Sequence, residues 1–271
     1  MKKLALMLTM FCLILAMAIP ALAGRLEEIE KRGTLICGVK DTVPQFGMVD
    51  EKTKQIVGFD VDMCKIIADK LGVKLELKPV TSATRIPMLA QGQVDLVAAT
   101  MTHKKEREEQ IDFSITYFNA SQKLLVKKGS GIKSVADLKG KKVASVKGST
   151  SEKNVKAAQP DCTVISFENY PEAFLALKQG KAVAATTDDV ILAGLIGADD
   201  NPDEWEIVGE PISAEPYGLG VPENDSDFRD AVNVALMDAW ESGAFQKAYD
   251  KWFGPKSKTP LPLTWTLELW P

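Results

Sequence analysis

The 271-residue sequence has a single histidine, four cysteines and no surplus of basic charge, with 33 Lys and Arg against 37 Asp and Glu and a net charge of −4. Each shortage excludes a chemistry. A His-centred triad, a multi-histidine zinc site and a His–Cys nucleophile pair would all have to share His103. That residue stands beside Lys104 and Lys105 and reads as a solvated or rim residue. Neither a nucleophile elbow nor a phosphate-binding loop occurs, so an enzyme is the weaker class. With no basic excess and no Lys/Arg block to hold a phosphate backbone, nucleic acid is not an expected partner. The cysteines lack metal-type spacing, and neither a metal site nor a cofactor is expected. Cys37, in a predicted strand, and Cys64, on the apolar face of a predicted helix, read as buried thiols. A Cys37–Cys64 disulfide is the alternative that an oxidising compartment allows.

One long apolar run is present, and it lies at the start. Lys2 and Lys3 precede Leu4–Ile19, and Pro20-Ala-Leu-Ala-Gly24 follows. This is the pattern of a cleaved secretory signal over residues 1–23, with a mature chain from Gly24 placed in the periplasm. The run is short for a span of roughly 20 residues. Cys12 follows bulky Phe11, where a lipid-attachment motif needs a small residue. Loss of the two signal lysines takes the net charge from −4 to −6.

What is present is a phrase that occurs twice with different endings. Leu89-Ala-Gln-Gly92 leads to Ala98-Ala-Thr-Met-Thr-His-Lys-Lys-Glu-Arg107, and Leu177-Lys-Gln-Gly180 leads to Ala184-Ala-Thr-Thr-Asp-Asp189. Each copy reads as a helix end, a glycine turn and a buried strand. The first ends in hydroxyls and an arginine, the second in aspartates. Ligands of open α/β sheets bind at the carboxyl ends of strands. Two such ends facing each other offer a cation to a carboxylate and a carboxylate to an ammonium, which suits an α-amino acid.

Around these copies, strand and helix patterns alternate. Strands are predicted at Thr34–Val39, around Val73–Leu77 and at Val94–Ala99, with helices at Leu26–Lys31, from Gly58 to Leu71 and at Arg85–Gln91. A crossing segment near Tyr117–Leu125 opens a second run. This has strands at Lys142–Val146, Cys162–Phe167 and Val183–Thr187, and helices after Thr150, at Glu172–Gln179 and from Asp189. Pro211–Tyr217, rich in Pro, Ser and Glu, reads as a link back to strand Gly218–Val221 and helices Phe228–Glu241 and Phe245–Trp252. The expected division is 24–117 and 214–271 in one lobe and 118–213 in the other. Pro260–Pro271 is expected as an extended tail packed on a surface.

The ordered set Gly58-Phe-Asp-Val-Asp62, Gly92-Gln-Val-Asp-Leu96, Thr100-Met-Thr102…Arg107, Asp112-Phe-Ser114…Tyr117, Asp137-Leu-Lys-Gly-Lys-Lys-Val143, Gly148-Ser-Thr150 and Thr187-Asp188-Asp189 resembles the periplasmic amino-acid-binding proteins of ABC importers, solute-binding family 3. The resemblance covers nearly the whole mature chain. It implies an α/β, two-lobed periplasmic-binding-protein fold of type II, the venus flytrap, with two hinge crossings. It places Arg107 on the ligand α-carboxylate, where a planar fork donates two parallel hydrogen bonds. Thr100, Met101 through its backbone, and Thr102 would supply carboxylate and ammonium contacts from the first lobe. Ser149 and Thr150 would join Arg107 on the α-carboxylate from the second, at a helix start that is also an anion seat. Asp188 is expected to accept from the ammonium and Asp189 to cap the following helix.

The segments Gly38-Val-Lys-Asp-Thr-Val-Pro44 and Thr84-Arg-Ile-Pro-Met-Leu89 resemble the aspartate/glutamate-binding branch. In that branch Lys40 and Arg85 would meet a side-chain carboxylate. Tyr170 would wall the ligand stem, and Phe46 reads equally as wall or lobe core. The expected function is capture of L-aspartate or L-glutamate by a monomer that delivers it to the permease of an ABC importer. The alternative is a cyclohexadienyl dehydratase acting on prephenate or arogenate. A sensory ectodomain would need a fused membrane helix and signalling domain, which the sequence does not display.

Overall fold

The parallel strands form on apolar or alternating runs, most of them after a glycine turn, and their carboxyl ends fix where most of the polar residues of interest end up. The computed structural model describes residues 24–267. The predicted signal segment lies outside the described residues, as do the last four residues of the tail. One eight-stranded sheet runs through the molecule in the order β5-β1-β6-β11-β7-β10-β8-β9. Its first half is parallel: β1 (Thr34–Val39) pairs with β5 (Lys74–Pro79) on one side and β6 (Leu96–Ala98) on the other. Its second half is also parallel, with β8 (Lys142–Val146) between β9 (Thr163–Phe167) and β10 (Ala184–Asp188). These halves are the centres of two lobes.

Between them lie two long strands, β7 (Asp112–Lys127) and β11 (Trp205–Val221), paired antiparallel from Trp205↔Lys127 to Val221↔Asp112. Both pass from one half of the sheet to the other, which gives two crossings. The stretch Pro211–Tyr217, expected as a link, is therefore strand. Proline donates no N–H to a ladder, and the register slips between Val208 and Ser213, the interval that holds Pro211. The first half also carries a small sheet of β2 (Thr42–Val43), β3 (Gly47–Val49) and β4 (Ile56–Val57). Two- and three-residue strands leave no periodicity to read.

Helices α1 (Arg25–Arg32), α2 (Phe59–Leu71) and α3 (Arg85–Ala90) serve the first half, and α4 (Thr150–Ala158), α5 (Tyr170–Lys178) and α6 (Asp189–Gly197) the second. The chain then returns through β11 to α7 (Ser226–Glu241) and α8 (Ala244–Phe253), which pack on α2. Asp225 caps α7 by accepting from the Phe228 N–H at 3.1 Å. The core is built on rings: Phe46, Phe59, Phe118, Tyr217 and Phe253 contact one another with centroids 5.1–6.4 Å apart, the spacing of edge-on and offset aromatic packing. Tail residue Trp265 stacks on Trp240 at 6.3 Å and meets Phe118 at 6.0 Å. Cys37 and Cys64 are buried as free thiols, with burial and a hydrogen bond to Cys37 pushing the Cys64 thiol up.

Candidate functional site

All six parallel strands end at one place. Lys40 follows β1, Ser82 and Arg85 follow β5, Thr100 to Arg107 follow β6, Thr150 follows β8, Tyr170 follows β9, and Asp188 ends β10. This is the carboxyl-end rule for open sheets, applied from two sides of one cleft. The repeated phrase has the expected form in both copies: Gly92 and Gly180 take φ of 68° and 69°, and the strands that follow bring Thr100–Arg107 and Asp188 to the cleft.

The cleft is closed and polar. Lys40, Ser82, Arg85, Thr100, Thr102, Arg107, Thr150, Tyr170, Asp188 and Glu215 are all buried. Lys40 Nζ donates to Ser82 Oγ at 2.6 Å and lies 5.7 Å above the Tyr170 ring. Arg85 Nη1 donates to the carbonyls of Ala99 and Thr100, while its Nε has no partner. Arg107 Nη1 donates to the Thr102 carbonyl at 2.7 Å and its Nη2 reaches the Gly148 carbonyl at 3.4 Å. Among the described residues, none of these three cations lies within salt-bridge distance of a carboxylate.

Three carboxylates share the cleft, but two are already used. Asp60 accepts from the Thr100 N–H at 2.9 Å and the Tyr117 hydroxyl at 2.7 Å. Glu215 accepts from Thr102, Thr150, Asn154 and Ser213. Asp188 accepts from the Tyr217 hydroxyl on one oxygen, and its Oδ1 has no partner. The cleft atoms left without a partner are Arg85 Nε, the Thr100 and Thr187 hydroxyls and Asp188 Oδ1, beside Lys40 and Arg107, whose bonds go to a hydroxyl and to carbonyls and not to a carboxylate. Buried polar atoms without partners are rare in folded proteins, and these are grouped in one cleft.

Electrostatics follow the same division. Burial, and then the neighbouring Arg85, hold Lys40 well below its ordinary value. Burial and Arg85 likewise bring Arg107 down to about 9, and burial lowers Arg85. Burial, and then Glu215, push Asp188 up to about 7, and burial raises Asp60 to about 6 against the pull of its Tyr117 bond. A ligand with anionic groups toward the cations and a cationic group toward Asp188 would reverse these shifts.

The remaining expected residues are placed as follows. Met101 turns its side chain into the core and accepts from the Gly218 N–H through its carbonyl at 3.1 Å. Ser149 caps α4, accepting from the Glu152 N–H at 3.2 Å. Phe46 is not brought to the polar group; four rings enclose it, so its packing is that of the lobe core. Asp188, rather than Asp189, occupies the N-cap position of α6, and its side chain turns to Tyr217 instead of capping. Asp189 is the first helical residue and accepts from Val190 N–H at 2.9 Å and Ser121 N–H at 3.2 Å. His103 stays at the rim, bonded to Glu108 at 2.6 Å and stacked on Phe113. Residues 105–110 form turns.

Ser82, Glu215 and Tyr217 were not among the expected residues. Ser82 lies in a short polar loop with no distinguishing pattern. The other two carry a signal that the prolines conceal: Ser213, Glu215 and Tyr217 alternate, so they share one face of β11. At the mouth, a cavity of about 320 Å³ is lined by Ser82, Ile86, Arg107, Gly148, Thr150 and Asn154 among others.

Residues 35–255 match the family described as bacterial extracellular solute-binding proteins, family 3. The ABC transporter glutamine-binding protein GlnH of Bacillus subtilis is 45% identical over 231 residues, covering 84% of each chain. The L-glutamate/L-aspartate-binding protein of Pseudomonas aeruginosa is 35% identical over 243 residues, covering 86% of this chain and 80% of the relative. Among solved structures, an ancestral arginine-binding protein bound to glutamine superposes with a TM-score of 0.78 at 45% identity, covering 82% of this chain and 99% of the other.

Proposed function

We propose a ligand and a task from one premise: the chain belongs to the bacterial extracellular solute-binding proteins, family 3. It is an amino-acid-binding protein of the ABC-importer type. Within that class, its ligand is an acidic L-amino acid, glutamate or aspartate, captured outside the cytoplasmic membrane by a secreted monomer and passed to a membrane permease. The observation that carries this reading is the set of unused groups in the cleft. Three buried cations without carboxylate partners and one bare Asp188 oxygen match a ligand with two carboxylates and one ammonium.

In this reading Arg107 takes the α-carboxylate, Asp188 the ammonium, and Lys40 and Arg85 the side-chain carboxylate, with Tyr170 along the stem. The moving bodies are residues 24–117 with 214–267, and residues 118–213. A ligand touching both binds the closed form better and shifts the population toward it.

A second reading, glutamine, is favoured by the 45% identity to a glutamine-binding relative. The formal balance of Lys40, Arg85 and Arg107 against Asp60, Asp188 and Glu215 also suits a ligand of no net charge. An amide leaves the second cation short of a charge, a defect that commonly costs about 2–5 kcal/mol, and this ranks the acids first. A thermal-shift screen of refolded protein against amino acids and prephenate tests the class, since only a ligand of the folded state raises the melting temperature. The acids should give the largest rise. A rise with prephenate alone, together with product formation, would replace transport by dehydration.

A further inference from the structure

Glu215 is 0% exposed and sits on β11, where the strand passes between the two lobes. Its Oε2 accepts from Thr102 Oγ1 at 2.5 Å and from Thr150 Oγ1 at 2.7 Å; its Oε1 accepts from Asn154 Nδ2 at 3.0 Å and from Ser213 Oγ at 2.5 Å. Thr102 is fastened to the same strand: it bridges Tyr217, and the neighbouring His103 N–H donates to the Pro216 carbonyl at 2.7 Å. Thr150 and Asn154 belong to α4, one helical turn apart on the face that looks into the cleft. The carboxylate therefore reaches from the crossing strand to the start of a helix in the second lobe, where the helix dipole favours an anion.

We infer that Glu215 is an interlobe latch, a built-in carboxylate that draws the empty cleft shut by accepting the Thr150 hydroxyl and the Asn154 amide across it. Opening the cleft separates Glu215 from both and breaks the Lys104–Asn154 bond, 3.2 Å long, beside them. The latch also sets the polarity of the site. A hydroxyl has one proton, and both threonines give theirs to Glu215. What they offer the cleft is lone pairs. On the amino-acid reading above, Arg107 and backbone N–H groups then hold the α-carboxylate, while the threonine hydroxyls are oriented by Glu215. Glu215 is accordingly a positioning residue, and its effect on affinity is the same for every α-amino acid, unlike that of Lys40 or Arg85.

The test uses ligand-free full chain, unfolded and refolded to remove carried ligand, with an interlobe distance read from paired spin labels on exposed positions of the two lobes. Two variants are compared with the parent. Glu215→Gln keeps the shape but turns a donor toward Asn154, and Asn154→Ala removes the partner on the second lobe and stands in if the first variant does not fold. The expected result is a shift of the ligand-free distance distribution to longer values in the variants. Glutamate and glutamine should both lose affinity by about tenfold, with their ratio unchanged. A parent protein already fully open without ligand, a variant with the parent distribution, or a changed glutamate-to-glutamine ratio would overturn the latch. The distance arm needs no ligand, so if no amino acid binds, the functional reading falls while the latch is still decided.

Discussion

A guanidinium that is 2% exposed and bonded only to backbone carbonyls, as Arg85 is, has lost most of its water without gaining a counter-charge. Such a group is costly unless something charged completes it, and the proposed side-chain carboxylate would do so. Arg85→Met removes the charge and keeps an unbranched stem. It should weaken glutamate binding by about 2–5 kcal/mol and glutamine binding by far less, as read by calorimetry. Asp188 supplies a test of opposite sign. Its folded value, about 7, lies above the ordinary one, so the folded protein holds a proton that the unfolded chain releases near pH 4. The stability from that proton is full below the unfolded value and is lost as pH rises through about 7. An ammonium beside Asp188 draws its value back down, so binding near pH 6 should release a proton and affinity should fall between about pH 8 and pH 5. Titrations in buffers of differing ionisation enthalpy read that proton, and Asp188→Asn should abolish it. Arg107 and Asp188 were legible in the sequence because each follows a glycine turn and an apolar strand. Ser82 and Glu215 were not: Ser82 stands in a polar loop that gives no sign of burial, and the alternation of Ser213, Glu215 and Tyr217 is hidden by the prolines of the same segment.

At the scale of elements, the approach of Phe46 and Gly47 to the start of α2 depends on one missing atom. Gly58 has φ of 154°, and a Cβ there would lie 1.9 Å from the Phe46 carbonyl oxygen. Backbone rather than a flexible side chain stands in the way, so Gly58→Ala should cost about 2–4 kcal/mol of stability, measured by denaturant unfolding. A variant within about 0.5 kcal/mol of the parent would show that the loop simply moves aside. Strand β6 was readable as a continuous apolar run and β5 from the alternation of Val73, Leu75 and Leu77, although β6 is shorter than its run: Val94 and Ala99 are buried outside the ladder. The crossing strand β11 was only half readable, because Pro211, where the register slips, and Pro216, which sits in the ladder opposite Asn119, both signal a loop where there is a strand. The tail keeps a strand-like alternation, with Leu261, Leu263, Trp265 and Leu267 turned inward and Pro262, Thr264 and Thr266 outward. It packs on the ring core without joining a sheet.

For the molecule as a whole, the two crossings set what the closed cleft has to be. Family 3 membership fixes the task as amino-acid capture, and the lobes meet over a site in which three buried cations lack carboxylate partners while Asp60 and Glu215 are already hydrogen-bonded. Closure over such a site is a balance. The cations repel one another and stand desolvated, while Glu215 and the Tyr217–Asp188 bond pull the lobes together. On the acidic-ligand reading, a diacid would relieve the first and leave the second intact, and would shift the population to the closed form by the difference in its affinity for the two forms. The fold was readable from the alternation of elements and the ordered motifs. Ligand identity was less so, since it turns on how Lys40 and Arg85 are paired in three dimensions.

The measurement that tests this account most directly is titration calorimetry of the refolded, ligand-free protein with glutamate, aspartate, glutamine and asparagine. One or both acids should bind tightly, with the matching amides weaker by about thirtyfold or more. Glutamine binding as tightly as glutamate would contradict the assignment of Lys40 and Arg85 to a side-chain carboxylate.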